Sequence, residues 1–323
     1  METTKSPRVA VSHEDNALNA QRAGTATLYI NPVRRVAAVG YGSARRPNVI
    51  RDAQPSIRIV IPAFNEGTRI TSTLAQYCPR FGNTASILVV ANGCSDDTCG
   101  VVRCMQKYFA NLNLIEFPAK IGKGGAVRLG LGTGREEFVG FVDADGSTKA
   151  EEFERLYRIA RCSNAQAVIG SRWLRGARLE PCQPLTRRLA SRAFNGIVRR
   201  LFTLDLRDTQ CGAKIFRRRA LRAVLRELEL CDFAADIEIL WRLHRAGQTI
   251  LEIPTVWSDK RSGSKVHLLP ASWRMLKSVV YLRLRHSRLS NSPMLGLLRG
   301  SSVLPIGSIS KALLFGRPGL LPS

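Results

Sequence analysis

From Ile57 onward, short apolar runs of strand type alternate with stretches whose apolar residues recur at helical spacing. Four runs are rich in β-branched or aromatic residues and have the length of strands, namely 57–63, 85–91, 112–117 and 138–142. Between the first two, Ile70, Leu74 and Tyr77 lie on one face of a helix. This alternation predicts an α/β fold, in which helices flank a central sheet.

Residues suited to ligand binding lie at the end of each run or in the segment that follows it. They are Pro62, Asn65 and Glu66 at the first run, Asn92 and Asp96 at the second, Lys123 after the third, and Asp143 and Asp145 after the fourth. In an open α/β sheet, ligands bind in a crevice at the carboxyl ends of the strands. We therefore expect one crevice to collect these side chains.

The fourth run ends at two aspartates that are one residue apart. In an extended segment, residues i and i+2 point the same way, so Asp143 and Asp145 can face one cation together. Mg²⁺ and Mn²⁺ prefer such oxygen ligands and usually bind through one or two carboxylates plus substrate phosphates. The pair predicts a metal site and a phosphate-bearing donor, although a solvated Asp-x-Asp turn explains the two residues equally well when they are taken alone.

The third run leads into a glycine-rich segment at 120–125, K-I-G-K-G-G. Position 127 is Val, so the G-x-G-x-x-G pattern is absent, and no Ser or Thr follows a Gly-Lys pair as a P-loop requires. Two interpretations remain. The segment is either a flexible loop whose amides, together with Lys120, Lys123 and Arg128, approach a diphosphate, or a solvated basic loop.

The chain of 323 residues carries 49 basic against 25 acidic side chains, a formal net charge of +24. Such a surplus attracts polyanions. The basic residues cluster at 172–200 and at 274–288, and neither cluster has the interleaved aromatic residues of single-strand binders. No DNA-reading motif is present either, so we expect no nucleic-acid partner. An anionic membrane surface fits better, because each basic residue close to it contributes roughly 1 kcal/mol.

Residues 266–289 combine Trp273, Leu276 and Val279 with basic residues, which predicts a basic amphipathic helix. The helix either lies in a membrane interface or packs on the domain with a solvated basic face. Residues 1–55 have no sustained apolar period, which predicts a mobile leader; 56–265 form the predicted catalytic domain, and 290–323 a tail of unknown structure.

Neither a secretory signal nor a run of the ~20 apolar residues that span a bilayer is expected in this sequence. The eight cysteines are scattered, which is typical of reduced thiols. We therefore expect a cytoplasmic protein that is peripherally associated with the cytosolic face of a membrane.

Taken together, the motifs resemble those of family 2 glycosyltransferases of GT-A fold. The matching segments are P-A-F-N-E at 62–66, N-G-C-S-D-D-T at 92–98, G-K-G-G-A-V-R at 122–128, D-A-D-G at 143–146 and G-S-R at 170–172. Three more, R-D-T-Q-C-G-A-K-I-F at 207–216, D-I-E at 236–238 and G-S-K at 263–265, resemble the dolichyl-phosphate glucosyltransferase branch, with the related mannosyltransferases close by. The resemblance covers about residues 57–285 and implies an open, mostly parallel twisted sheet.

By position, the resemblance implies three groups of site residues. The first would bind the donor nucleotide, ribose and phosphates: Pro62, Phe64, Glu66, Asn92, Lys123 and Asp143. The second would contact the donor diphosphate or the acceptor phosphate: Arg172, Arg187, Ser191, Arg261, Ser264 and Lys265. The third is the Mg²⁺ or Mn²⁺ site, with Asp145 as the direct ligand and Asp143 beside it.

The sequence departs from the family at Ala91 and Asn92, which replace two acids of the usual D-D-G-S motif. An Asn carbonyl can still accept a hydrogen bond from a uracil N–H, so uracil can bind, but this departure makes the base preference less defined. The resemblance favours UDP-glucose as the donor, with GDP-mannose as the alternative.

The candidate catalytic residues depend on the acceptor. A lipid monophosphate, with a second pKa of about 6, is already an anionic nucleophile, whereas a sugar hydroxyl requires a base. Asp236 and Glu238 are the candidate bases, although the apolar spacing around them also permits a plain helix with solvated acids. Asp208 and Gln210 are expected to hydrogen-bond the acceptor, and Cys211 to pack in the interior.

Three functions are compatible with these observations. The leading hypothesis is an inverting, metal-dependent transfer of a hexose, with glucose favoured, from a nucleotide sugar to a polyprenyl or dolichyl phosphate. The second keeps the fold but transfers the sugar to a hydroxyl of a glycan or glycolipid. The third is a basic nucleic-acid- or membrane-binding protein with a degenerate transferase site.

Overall fold

The structure is a computed structural model, and it describes residues 27–29, 55–180, 185–258, 268–288, 290 and 294–299. Within these residues the main sheet has eight strands: β1 (Thr27–Tyr29), β2 (Ile57–Ala63), β3 (Ala85–Asn92), β4 (Leu112–Phe117), β5 (Phe138–Val142), β6 (Ala167–Ser171), β8 (Ala213–Arg217) and β9 (Ile250–Pro254). Two further strands, β7 (Arg178–Glu180) and β10 (Val256–Ser258), pair in parallel beside it.

The strands of the main sheet lie in the order β1-β4-β3-β2-β5-β8-β6-β9. The neighbours β4, β3, β2 and β5 run parallel, and β8 is inserted antiparallel between β5 and β6. The predicted α/β class with a mostly parallel sheet is therefore confirmed. Because β2 to β5 are parallel, their carboxyl ends meet at one edge of the sheet.

Helices cover both faces of the sheet. They are α1 (Gly67–Phe81), α2 (Thr98–Gln106), α3 (Gly122–Gly132), α4 (Ala150–Cys162), α5 (Leu185–Phe202), α6 (Arg218–Leu225), α7 (Ala235–Arg245), α8 (Leu268–Arg285) and α9 (Met294–Arg299). One apolar core lies under α1, α2 and α4, and the other lies under α3 and α5 to α8. Successive residues of a strand face opposite sides, so Ile59 and Ile61 enter the first core and Val60 the second.

The four predicted strands coincide with β2 to β5, with β3 extending one residue further to Asn92. The predicted leader 1–55 differs in one respect, because Thr27–Tyr29 pairs antiparallel with β4 and belongs to the sheet. Most of the leader, like residues 300–323 of the predicted tail, lies outside the described residues.

The helix α8 falls within the predicted range 266–289. Val279 and Leu282 on α8 are fully buried in the core, whereas Trp273 is 59% exposed. One end of the helix thus packs on the domain, and its orientation toward a membrane stays a prediction. None of the helices within the described ranges is long and apolar enough to cross a bilayer.

Candidate active site

Hydrogen bonds and ion pairs join the loops at the carboxyl ends of β2, β3, β4 and β5. The Ser95 amide donates to Asn65 Oδ1 at 2.8 Å, which links the loops after β2 and β3. The Ile121 amide donates to Asn92 Oδ1 at 2.6 Å, which links β3 to the segment after β4. These contacts agree with the prediction of one crevice at this edge.

Four alternating charges form what we call the charge network, composed of Asp143, Lys123, Asp236 and Lys214. Lys123 Nζ lies 2.8 Å from Asp143 Oδ1 and 3.6 Å from Asp236 Oδ2. Lys214 Nζ, on β8, lies 3.2 Å from the same Asp236 oxygen. Burial alone would raise the pKa of Asp143, but Lys123, Lys214 and Arg172 hold it below its ordinary value. Asp143 is therefore kept as a carboxylate at the tip of β5.

Asp145 lies two residues beyond, on the turn that follows β5. Its Oδ1 accepts a hydrogen bond from the Ser147 amide at 2.9 Å. Burial and the negative charge of Asp143 raise the pKa of Asp145, so the two carboxylates repel each other. A divalent cation between them would remove that repulsion.

The carboxylates of Asp143 and Asp145 fit Mg²⁺ or Mn²⁺ if a bound substrate supplies further oxygen ligands. No group of three or more His, Cys, Asp or Glu side chains that could hold a metal occurs in the part of the chain that the structure describes. Two carboxylates are nevertheless the usual protein contribution when substrate phosphates supply further oxygen ligands. Asp143 and Asp145 would therefore hold the metal together with a bound diphosphate.

Pro62 and Phe64 border the crevice at the end of β2 and in the loop beyond it. The Phe64 ring is 36% exposed, and Lys120 Nζ lies 4.0 Å from its centroid. An exposed aromatic face beside a cation suits a stacked base near a phosphate. Arg128, by contrast, donates from Nη1 to the Leu228 carbonyl at 2.5 Å in the interior, so it does not contact a diphosphate.

Glu66 opens α1 on the same side of the crevice. It forms a two-point ion pair with Arg69, with distances of 2.7 Å and 2.6 Å. Burial raises the pKa of Glu66 despite Arg69, and the charges of Asp143 and Asp145 add to this shift. The Glu66 carboxylate thus lies within the electrostatic influence of the aspartate pair, and its role in donor binding stays a prediction.

Asn92 has a different role from the predicted one. It is 3% exposed, and its side-chain oxygen accepts the hydrogen bond from the Ile121 amide. Asn92 therefore fixes the segment after β4 to the end of β3, and its carbonyl is not presented freely to a base.

The glycine-rich segment is not a flexible loop, because α3 begins at Gly122. Gly122 has a φ of +76°, and a Cβ there would lie 2.2 Å from the Cys231 carbonyl oxygen. A Cβ at Gly124 would lie 2.4 Å from Ala235 Cβ. Glycine is required for α3 to approach residues 231–235. This approach places Lys123 between Asp143 and Asp236. The expected loop was wrong at this point.

Asp208 does not offer its carboxylate to an acceptor, contrary to the prediction. It is fully buried, and Arg172 binds it at two points, with Nε to Oδ2 at 2.7 Å and Nη2 to Oδ1 at 3.0 Å. Burial alone would raise the pKa of Asp208, but Arg172 holds it below its ordinary value. The Arg172 guanidinium also lies 5.4 Å from the Trp257 ring centroid. Asp208 therefore orients Arg172, which remains the candidate phosphate ligand.

Cys211 packs in the interior as predicted, and Gln210 lies beside it in the sequence. Gln210 Nε2 is buried and has no hydrogen-bond partner among the residues described, and its contact with an acceptor stays a prediction. Cys211 is fully buried, and burial raises its pKa to about 11, which suits packing and not nucleophilic attack.

The remaining acceptor-side candidates lie on α5 or beyond the described ranges. Arg187 and Ser191 are half-buried on α5. Asn195 of the same helix accepts hydrogen bonds from the Thr209 amide at 3.0 Å and hydroxyl at 2.9 Å, which ties α5 to the loop of Asp208. Arg261, Ser264 and Lys265 lie outside the described residues.

A family model described as Glycosyl transferase family 2 matches residues 58–225, more than half of the chain. The chain is a family 2 glycosyltransferase. Its human relative, a dolichyl-phosphate β-glucosyltransferase, is 30% identical over 263 residues, which cover 74% of this chain and 78% of that protein. The glycosyltransferase AglD of Haloferax volcanii is 30% identical over 238 residues, which cover 72% of this chain but 37% of AglD.

Solved structures support the GT-A fold of this glycosyltransferase. The glucosyl-3-phosphoglycerate synthase of Mycobacterium tuberculosis, in complex with Mn²⁺, UDP and glucosyl-3-phosphoglycerate, has a TM-score of 0.54 and 17% identity. The match covers 75% of this chain and 85% of that one. The family model and the sequence relatives make the protein a nucleotide-sugar-dependent glycosyltransferase.

Glu238 of this glycosyltransferase does not face the crevice. It stands two residues after Asp236 on α7, so the two side chains point roughly 200° apart. The Glu238 carboxylate is fully buried and accepts hydrogen bonds from the Leu230 amide at 2.8 Å and from Arg242 Nε at 2.8 Å. It ties α7 to the preceding segment, and we no longer regard it as a candidate base.

Glu238→Gln should therefore lower the stability of the glycosyltransferase and leave its chemistry largely intact. Both Glu238 oxygens accept from N–H groups, so the amide nitrogen of Gln would face a donor, and the free energy of unfolding should fall by about 2 kcal/mol. Thermal denaturation and initial rates at low temperature measure the two effects separately. A large loss of rate in a variant with unchanged stability would return Glu238 to the catalytic group.

Lys214 and Gly212 belong to this site but were not among the predicted site residues. Lys214 lies in the apolar strand A-K-I-F, where an isolated charge must find a buried partner, and this signal could have revealed it. Gly212 gave no such signal. A Cβ at Gly212 would lie 2.0 Å from Asp143 Oδ2, a contact that spacing in the sequence does not reveal.

Proposed function

We propose that this glycosyltransferase moves glucose from UDP-glucose to a polyprenyl phosphate, with inversion and with a divalent metal. The observation that carries the proposal is the packing of the segment 208–212 against Asp143. Asp208 at the start of this segment binds Arg172 at two points, at 2.7 Å and 3.0 Å. A Cβ at Gly212 at its end would lie 2.0 Å from Asp143 Oδ2, so the segment that fixes the guanidinium also packs on the donor-side aspartate. Relatives named dolichyl-phosphate β-glucosyltransferase support glucose as the sugar and a lipid phosphate as the acceptor.

The charges divide between donor and acceptor. Asp143 and Asp145 would hold Mg²⁺ or Mn²⁺, which, when bound, neutralises the departing nucleotide diphosphate. Lys123, 2.8 Å from Asp143, adds a second positive charge on the donor side. Arg172, oriented by Asp208, would bind the acceptor phosphate. A phosphate oxygen then forms the bond to the anomeric carbon from one face while the bond to the diphosphate breaks on the other, which inverts the configuration.

A phosphate acceptor also suits the carboxylates of the site. Asp208 is bound at two points by Arg172, and Asp236 lies between Lys123 and Lys214. Neither is placed as a free base for a hydroxyl. A phosphate monoester, with a second pKa of about 6, is already anionic near neutral pH and needs only to be positioned.

The exposed face of α5 supports docking of the enzyme on an anionic membrane, where such an acceptor resides. Leu185 is 70% exposed, Leu189 65% and Ile197 43%, although all three are apolar. The opposite face of the helix, with Val198 and Phe202, is buried in the core. Arginines border the apolar face, so it resembles an interfacial helix, with leucines toward the lipid and guanidinium groups toward the phosphates.

The double variant Leu185→Ser/Leu189→Ser should lose at least tenfold in partitioning to vesicles, because burial of each leucine contributes about 1.5–3 kcal/mol. Cosedimentation with phosphatidylserine-containing vesicles measures this change. The matched control is Tyr108→Ser. Tyr108 follows α2, away from α5 in the sequence, and its side chain is 77% exposed, so this variant should bind as the parent does. Equal partitioning of the double variant and the parent would contradict docking through α5.

The function is tested by incubating the purified protein with UDP-glucose or GDP-mannose, Mn²⁺ or Mg²⁺, and a short polyprenyl phosphate. The matched polyprenyl alcohol serves as the hydroxyl acceptor. We expect a β-linked glucosyl phosphate lipid from UDP-glucose, and no product after chelation of the metal. Transfer to the alcohol alone, or preferential use of GDP-mannose, would overturn the acceptor or the donor assignment, respectively.

A further inference from the structure

Lys214 is a fully buried lysine in the central sheet, and the function proposed above gives it no contact with the donor or the acceptor. Its ammonium group donates to the Cys211 carbonyl at 2.6 Å and contacts Asp236 Oδ2 at 3.2 Å. It also lies 5.2 Å from the centroid of the Phe141 ring. Lysine is almost never fully buried unless it is paired, so its place here calls for a specific role.

Asp236 is the partner that gives Lys214 this role. Asp236 is 2% exposed, and its other oxygen, Oδ1, is buried without a hydrogen-bond partner in the described part of the chain. Without Lys214, the nearest remaining cation among the described residues would be Lys123, at 3.6 Å. A buried carboxylate that loses its counterion is strongly unfavourable, so it would draw Lys123 inward.

Lys123 now lies closer to Asp143, at 2.8 Å, than to Asp236. Its side chain is 16% exposed, and that of Asp143 is 32% exposed, so the Lys123–Asp143 pair reaches the open edge of the crevice. The Asp236–Lys214 pair is buried below it. As long as Lys214 pairs with Asp236, Lys123 can pair with Asp143 and remain at the surface of the site.

We propose that Lys214 is a positioning residue that neutralises Asp236 and thereby keeps Lys123 on Asp143, where the donor diphosphate binds. This inference rests on the proposed function, because it takes the crevice to be the nucleotide-sugar site. The same ammonium group holds the Cys211 carbonyl, three residues from Asp208, so one buried cation joins the donor and acceptor sides.

The test uses the full-length chain and UDP with Mn²⁺ as the probe, with binding measured by calorimetry. Lys214→Met should weaken UDP binding about tenfold or more, as loss of an outer-shell partner commonly does. Lys107→Met, an exposed lysine at the end of α2, is the control and should bind as the parent does. The melting temperature of each variant separates lost folding from lost positioning.

The decisive comparison is a double-mutant cycle with Asp236→Asn. If Lys214 acts through Asp236, Lys214→Met should have little further effect on UDP binding in the Asp236→Asn background, and the double variant should bind better than Lys214→Met alone. Equal losses in both backgrounds, or unchanged binding in Lys214→Met, would overturn the inference. If Lys214→Met does not fold, Asp236→Asn and the double variant still give the comparison in that background, where an added tenfold loss contradicts the inference.

These outcomes are distinct from failure of the proposed function. If the parent protein binds neither UDP nor UDP-glucose in the presence of Mn²⁺, the nucleotide-sugar assignment fails. If the parent binds UDP and the variants do not follow the expected pattern, only the role of Lys214 is overturned.

Discussion

Asp145→Asn is expected to reduce metal-dependent glycosyl transfer about a thousandfold, the upper range for loss of one fixed electrostatic group in an active site. Asp145 forms no ion pair with the lysines of the charge network, because Lys123 contacts Asp143 and Lys214 contacts Asp236. A neutral amide keeps the shape of the side chain but removes the charge that the metal requires. Initial rates across a range of Mn²⁺ concentrations measure the loss.

The stability of Asp145→Asn should not fall with its activity. Burial and the charge of Asp143 raise the pKa of Asp145, so its ionised form is disfavoured by folding. At a pH above its unfolded pKa, the carboxylate therefore costs stability, and the neutral amide removes that cost. The hydrogen bond from the Ser147 amide can be kept by the Asn oxygen. We expect a melting temperature equal to or slightly above that of the parent.

Asp205→Asn is the matched control for this prediction. The Asp205 side chain is 96% exposed and pairs with Arg199 on the surface, so its replacement should change neither rate nor metal dependence. Full activity of Asp145→Asn, with the parent's response to Mn²⁺, would show that Asp145 is not a metal ligand.

The sequence was sufficient for the parallel part of the sheet because its signals are local. Each of β2 to β5 is an apolar run bounded by polar residues, and such a run can be recognised without knowledge of its partners. The placement of Lys123 near Asp143 followed from the same rule, since both residues come after parallel strands. The insertion of β8 between β5 and β6 was not predictable in this way, because strand order depends on contacts between distant segments.

The errors at Asp208, Glu238 and the glycine run have a common physical cause. In each case another segment of the chain determines the role of the residue. This is Arg172 for Asp208, the amides of residues 229 and 230 for Glu238, and residues 231–235 for Gly122 and Gly124. An acidic residue in a motif is equally compatible with catalysis and with a buried ion pair. The burial of the residue and its ion-pair partners distinguish the two roles. The spacing of residues in the sequence reveals neither of them.

Gly212→Ala is expected to reduce transfer about a hundredfold, because a displacement of roughly 1 Å at a reacting centre can have an effect of this size. The added Cβ would lie 2.0 Å from Asp143 Oδ2 and 2.5 Å from its Cγ, distances that force the carboxylate to move. Any such movement alters the 2.8 Å contact with Lys123 and the position of Asp143 beside Asp145. The loss should appear in the affinity for UDP with Mn²⁺ as well as in the rate.

The control for Gly212→Ala is Gly196→Ala on α5, where a Cβ would meet no atom within 4 Å. Alanine is preferred to glycine within a helix by about 0.5–1 kcal/mol, so this variant should be slightly more stable than the parent. With a short, water-soluble polyprenyl phosphate it should also be as active. If Gly212→Ala melts like the parent and binds UDP with Mn²⁺ equally well, the added Cβ does not displace the carboxylate of Asp143, and the prediction is wrong. Weaker binding in a variant that remains folded would instead show that this single glycine sets the position of the donor-side aspartate.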